Sequence, residues 1–160
     1  MGDLPPSADP VAGEEGRREN CNQRAMDHTF HLRIVTPNRQ LVSEDIEECQ
    51  IPGKAGYLGI LPGHAPLISE LKVGEISYRQ GRDVRYLAVS GGFLEVLPDQ
   101  VTVLAETAEK AEEIDRERAN AAKDRAEQSL KHPDPVTDIQ HAMVALERAL
   151  IRLQVASKKR

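Results

Sequence analysis

VRYLAVSGGFLEVLPDQVTVLA, residues 84–105, decides the fold. Val84 to Val89 form one extended run and Phe93 to Leu97 a second. Pro98-Asp99 reads as the centre of a type I turn, because proline presets φ at the second turn position. Val101 to Ala105 then return. Short apolar runs punctuated by turn residues are the pattern of β-strands joined by hairpins. Working outward, Ile76 and Tyr78 alternate with Ser77 and Arg79, and Gly81-Arg82-Asp83 make a turn before Val84. Phe30, Leu32 and Ile34 alternate with His31, Arg33 and Val35, the period of two that a half-buried strand shows. Pro37 ends that strand or forces it to an edge. Residues 28–108 are therefore expected to form an antiparallel β-sandwich or a flattened barrel.

Beyond this region the period changes. Ile139, Ala142, Met143, Leu146, Ala149, Leu150 and Leu153 recur at steps of three and four, one stripe of a helix. Thr137 followed by Gln140 reads as its capping box. Residues 110–131 are dense in Ala, Glu, Lys and Arg, good helix formers. His132-Pro133-Asp134-Pro135 interrupts the two, since proline lacks a donor and disfavours helix in its predecessor. The first helix has a poor apolar stripe of Ile114, Ala121, Ala122 and Leu130, so the two-helix hairpin over 109–157 should be marginal and able to move. The fold class is α+β: a β-sandwich followed by a C-terminal helical hairpin. Residues 1–27, rich in Pro, Gly, Glu, Arg and Asn, lack the apolar content to offset chain entropy and read as a disordered tail. Met26, just before the first patterned segment, is an alternative biological start.

Composition narrows the function. The 160 residues carry 21 basic and 26 acidic side chains, a formal net charge of −5, against the basic face of a nucleic-acid binder. No apolar run approaches the roughly 20 residues that span a bilayer, so no direct membrane insertion is expected. The acidic N-terminus has neither the apolar stretch of a secretory signal nor the composition of a transit peptide. Cys21 and Cys49 make no disulfide framework and no zinc site, which fits a reducing cytosol. Aromatics are 3% of the chain, so the core must be built from Val, Ile, Leu and Ala, which suits thin β structure with helices on it better than a large enzyme core.

Catalytic patterns are absent. Ser90 before Gly91-Gly92 is not a Gly-x-Ser-x-Gly elbow. Gly53-Lys54 lacks the earlier glycine and the following Ser or Thr of a phosphate-binding loop. The five histidines lack metal spacing. The chain is expected to have no active site, no metal and no required cofactor. Two features stand out instead. Gly56 to Leu67 brackets apolar residues with glycines and prolines, giving a rigid apolar loop that is either a buried connection or a docking surface. Asp115, Arg118 and Arg125 share one face of the first helix, and Arg148 and Arg152 one face of the second. These residues form either a solvated charged face or, if the helices fold back, a set of guanidinium forks that suits phosphate oxygens.

Three segments carry a family resemblance. Gly59-Ile60-Leu61-Pro62-Gly63-His64-Ala65-Pro66-Leu67, Ser90-Gly91-Gly92-Phe93-Leu94-Glu95-Val96 and Val101-Thr102-Val103-Leu104-Ala105-Glu106-Thr107-Ala108 resemble, in order and spacing, the signatures of the epsilon subunit of bacterial F-type ATP synthase. The resemblance runs from about Phe30 to about Ser157. It implies a non-catalytic rotor (central-stalk) subunit seated against the gamma subunit and the c-ring. It also implies a peripheral position on the cytoplasmic face of the bacterial inner membrane. Tyr57 and His64 are the implied c-ring-facing residues. The hairpin would lie on the sandwich or extend along gamma, where it would meet the catalytic alpha and beta subunits and block ATP hydrolysis. Ile114-Asp115-Arg116-Glu117-Arg118-Ala119 is similar to the Ile-Asp-x-x-Arg-Ala of ATP-binding members. Glu109, Ile114, Asp115, Arg118, Ala119, Arg125, Arg148 and Arg152 are the implied contacts to ATP as a regulatory ligand. The alternatives are a free-standing ATP-sensing module, or an enzyme with an unrecognised site.

Overall fold

Strand β1 (Phe30–Val35) buries Phe30, Leu32 and Ile34 and turns His31, Arg33 and Val35 outward, the alternation expected of it. The computed structural model describes residues 28–136 and 138–158. The tail reading over 1–27, with Cys21 and Met26, and the cap reading at Thr137 lie outside them. After β1 come β2 (Gln40–Ile46), β3 (Glu48–Gly53), β4 (Gly56–Ile60), β5 (Leu67–Glu70), β6 (Gly74–Gln80), β7 (Asp83–Val96) and β8 (Gln100–Lys110). Two helices follow, α1 (Arg116–Lys131) and α2 (Ile139–Ser157).

The strand order is β2-β1-β8-β7-β6-β3-β4, with β5 paired to β7. Neighbours are antiparallel except β1 and β8, which run parallel, with His31 opposite Gln100 and Val35 opposite Leu104. No hairpin joins these two, so nothing forces them to reverse. Val84–Val89 and Phe93–Leu97, expected as separate strands, are one strand, β7. It bends at Gly91 (φ 65) and Gly92 (φ 112) and changes partner there, β6 before the bend and β5 after it. A Cβ on Gly92 would sit 1.9 Å from the Leu104 carbonyl oxygen, so glycine is required at this crossing. β8 stays paired to β7 on both sides of the bend.

One core, containing Leu32, Ile34, Ile46, Ile51, Ile76, Tyr78, Leu87, Leu94 and Val103, fills the sandwich. Cys49 is part of it, and burial pushes its thiol pKa up to about 12, which keeps it protonated and unreactive at neutral pH. The segment expected as a rigid loop from Gly56 is shorter than that. Gly56–Ile60 is strand β4, paired to β3, and only Leu61–Pro66 is loop. Gly59 does not stop the strand because it lies on the exposed side of an edge, where its missing side chain leaves nothing unpacked.

Asp115 caps α1 and Asp138 caps α2, each carboxylate accepting from the backbone N–H three residues on, Arg118 at 3.0 Å and His141 at 3.1 Å. Asp115→Ala should therefore cost roughly 1 kcal/mol of hairpin stability, read as faster amide exchange in the first turn of α1 with the sandwich amides unmoved. The helices meet through alanines. Ala119 and Ala126 of α1, and Ala142 and Ala149 of α2, are buried, while Ala121, expected in the stripe, is exposed. Small residues let the two backbones approach but bury little area. Ile139, Met143 and Leu150 of the expected α2 stripe are left exposed.

Candidate functional site: the seat of the helical hairpin

A small second cluster joins hairpin to sandwich. Ala88 and Ala111 meet Ile114, Val155 and Ala156, with Tyr86 and Ile151 at its edge. Among the described residues its buried large aliphatic members are Ile114 and Val155, worth roughly 1.5–3 kcal/mol each when fully buried, with Ile151 half-buried beside them. Around it run polar contacts from successive turns of α2. Arg148 Nε donates to Ser90 Oγ at 2.6 Å. Arg152 donates through Nε, at 3.0 Å, and Nη2, at 2.7 Å, to Glu109 Oε1. Lys158 Nζ reaches Glu75 Oε1 at 2.7 Å, and Gln154 Nε2 donates to Glu75 Oε2 at 3.3 Å.

Of the eight residues expected around a nucleotide, the structure brings Glu109, Arg148 and Arg152 together, since Glu109 ends up on β8 facing α2. Ile114 is buried beneath the start of α1, Asp115 is engaged as its cap, and Ala119 lies in the helix–helix seam. Arg118 and Arg125 are exposed, and their guanidinium groups have no hydrogen-bond or ion-pair partner among the described residues. Arg125 lines an open groove of about 510 Å³ between the helices near the connecting turn, with Ala122, Ala126, His141 and Ala142.

Tyr57 is on β4, 58% exposed, with its hydroxyl accepting from the Glu75 backbone N–H at 3.2 Å. His64 is half-buried in the loop, and its Nδ1 lies 2.8 Å from the Ala65 carbonyl oxygen. The loop is tied to the β7–β8 turn by Gly63 N–H to the Pro98 carbonyl at 2.8 Å, and Leu61 stands 58% exposed at its start. Ser90, Glu75, Gln154 and Lys158 were missed in the sequence. The acidic Glu75 beside the buried alternation of β6 was the one visible signal.

A Ser–His–Asp line also exists. His31 Nδ1 is 2.7 Å from Asp45 Oδ1, and His31 Nε2 is 3.0 Å from Ser43 Oγ. It lies on an open strand face with Asp45 74% exposed, where water rather than preorganised donors would meet developing charge. It is a cross-strand surface network. No group of His, Cys, Asp or Glu among the described residues could hold a metal ion, and no helix among them is long and apolar enough to cross a membrane.

Residues 29–111 match the family model described as "ATP synthase, Delta/Epsilon chain, beta-sandwich domain", and residues 112–157 match "ATP synthase, Delta/Epsilon chain, long alpha-helix domain". The chain belongs to the ATP synthase epsilon family. It is 59% identical over 110 residues to the ATP synthase epsilon chain of Koribacter versatilis, covering 69% of this chain and 78% of that one. It is 48% identical over 134 residues to the ATP synthase epsilon chain of Solibacter usitatus, covering 84% of this chain and all of that one. A chain in the cryo-EM structure of the Euglena gracilis mitochondrial ATP synthase (OSCP/F1/c-ring, rotational state 1) superposes with a TM-score of 0.71 at 23% identity, over 97% of this chain and 91% of that chain, which shows the shared fold. The epsilon chain is a non-catalytic subunit of ATP synthase, and this one is built to make contacts rather than bonds.

Proposed function

We propose that the chain is the central-stalk epsilon subunit of a proton-translocating ATP synthase, bridging gamma and the c-ring at the cytoplasmic face of the bacterial inner membrane. In this reading its hairpin restrains ATP hydrolysis, and ATP holds the hairpin down. The observation that carries this is the weak seat of the hairpin: two buried large aliphatic side chains, a half-buried Ile151 and a few polar contacts hold it to a sandwich that has its own complete core. Such a hairpin can leave without unfolding the rest. Lifted, it would present Arg118, Arg125, Arg148 and Arg152 to acidic surfaces of the catalytic alpha and beta subunits.

The bridging role is supported by apolar side chains on the outer sandwich surface. Phe93 and Leu104, directly opposite on β7 and β8, are 57% and 54% exposed, and Ile68 on β5 is 76% exposed. A free-standing ATP sensor would have no use for these or for the exposed Tyr57 and Leu61 beside the His64 loop, which suit the c-ring contact.

The nucleotide role is supported by the two states of the arginines. Arg148 and Arg152 are positioned by Ser90 and Glu109, whereas Arg118 and Arg125 have guanidinium groups free to take phosphate oxygens. ATP bound only to the folded-down form would stabilise it by about 2.7 kcal/mol at a hundredfold excess over the dissociation constant. Hydrogen exchange of residues 109–153 should slow with millimolar ATP, and the protection should vanish in Arg118→Ala. Calorimetry showing no binding at millimolar ATP would remove the nucleotide from this account.

A further inference from the structure

Among the described residues, two polar side chains of the sandwich are buried, Ser90 at 4% exposure and Glu75 at 9%, and both are spent on α2. Ser90 is neutral. Glu75 is a carboxylate enclosed between β6 and the last turns of the helix. Its Oε1 meets Lys158 Nζ at 2.7 Å and its Oε2 accepts from Gln154 Nε2 at 3.3 Å. Lys158 is also 4.7 Å from the centroid of the Tyr86 ring, so its charge is held by a carboxylate and an aromatic face together. It sits at the C-cap of α2, where the helix dipole favours a cation. From the other side, the Glu75 backbone N–H donates to the Tyr57 hydroxyl at 3.2 Å, which fixes the strand position from which the carboxylate projects.

We propose that Glu75 and Lys158 form the lock that holds the end of the hairpin on the sandwich, with Gln154 and Tyr86 closing it around the charges. This rests on the reading that the hairpin can leave. Docked, the Glu75 carboxylate has lost most of its water and depends on Lys158, whose side chain keeps 37% of its surface exposed. Undocked, both return to solvent. Removing Lys158 leaves Glu75 buried and uncompensated and drives the helix off. Removing Glu75 leaves a lysine that water already reaches and costs less, and removing both charges leaves no buried charge unpaired. That asymmetry separates a charge lock from a helix held by packing alone.

The test is amide exchange on the full chain without nucleotide, read at residues 152–157 and, as an internal reference, in β1 and β8. Lys158→Met should speed exchange at 152–157 by about tenfold with the reference strands unchanged, and Glu75→Gln should do so by a few-fold. Glu75→Met combined with Lys158→Met should return the rates towards wild type. If Glu75→Gln melts the sandwich, Lys158→Met carries the test alone, because Lys158 lies outside the β domain. Rates at 152–157 within twofold of wild type in Lys158→Met overturn the lock while leaving a mobile hairpin intact. Wild-type exchange at 152–157 that occurs only with global unfolding overturns both the lock and the reading beneath it, so the two failures are distinguishable.

Discussion

Removing residues 114–160 is expected to raise ATP hydrolysis by the assembled complex by about an order of magnitude, with the shortened chain still co-purifying with gamma. If the hairpin is extended in about nine complexes in ten, it holds activity about tenfold down, and its loss restores the difference. The cut is placed by the structure. β8 continues to Lys110, whose partner on β7 is Leu87, and Arg39 bonds Glu113 and holds its carboxyl below the usual carboxylate range. Ending the chain at Glu113 therefore keeps every strand pair of the sandwich. In the proposed reading, where ATP holds the hairpin folded, the effect should be greatest at low ATP and shrink as ATP rises. Equal activity with and without the hairpin across all ATP concentrations would mean that it restrains nothing.

Gly92→Ala is the second large effect, and it acts on the fold. The added methyl would meet the Leu104 carbonyl oxygen at 1.9 Å and the Ala105 Cα at 3.0 Å, both backbone, at a φ of +112°. Nothing there can rotate away, so the ladder between β7 and β8 must open. The cost should be at least about 3 kcal/mol. For a sandwich of this size that lowers the thermal midpoint by more than about 10 °C. Gly91→Ala is the control. Its methyl would meet the Glu106 carboxyl group, the far end of a flexible side chain, so it should cost about 1 kcal/mol, mostly for the positive φ. Scanning calorimetry of the two variants tests the contrast, and similar midpoints would show that the bend is not the constraint described.

The strands legible in the sequence were those whose alternation is driven by burial on one face, β1 and β6 above all. β4 and β5 were not, because one is an edge holding exposed Tyr57 and Gly59 and the other is four residues with Ile68 facing outward. An exposed apolar residue breaks the pattern that burial would make. α1 and α2 were legible as helices, but their contact face was not, since an alanine seam has no strong apolar period and Ala119 looks no different from Ala121. Of the candidate site, the arginines were visible through helical spacing and through the family's short motif. Their partners were invisible, because Ser90 lies 58 residues from Arg148 and Glu75 lies 83 from Lys158, and only the fold brings them within reach.

The continuous β7–β8 ribbon has a mechanical consequence. Layers joined only by loops can shear past each other by sliding side chains across the core. Here the two longest strands pass through the bend still hydrogen-bonded, from Leu87 opposite Lys110 to Val96 opposite Val101. A twist applied to one layer is carried to the other by covalent backbone and a ladder that keeps its register across the bend, with only the Gly91 position unpaired, so shear is stiff. The compliant motion left is flexing about Gly91-Gly92, where β7 has two adjacent residues without side chains to jam.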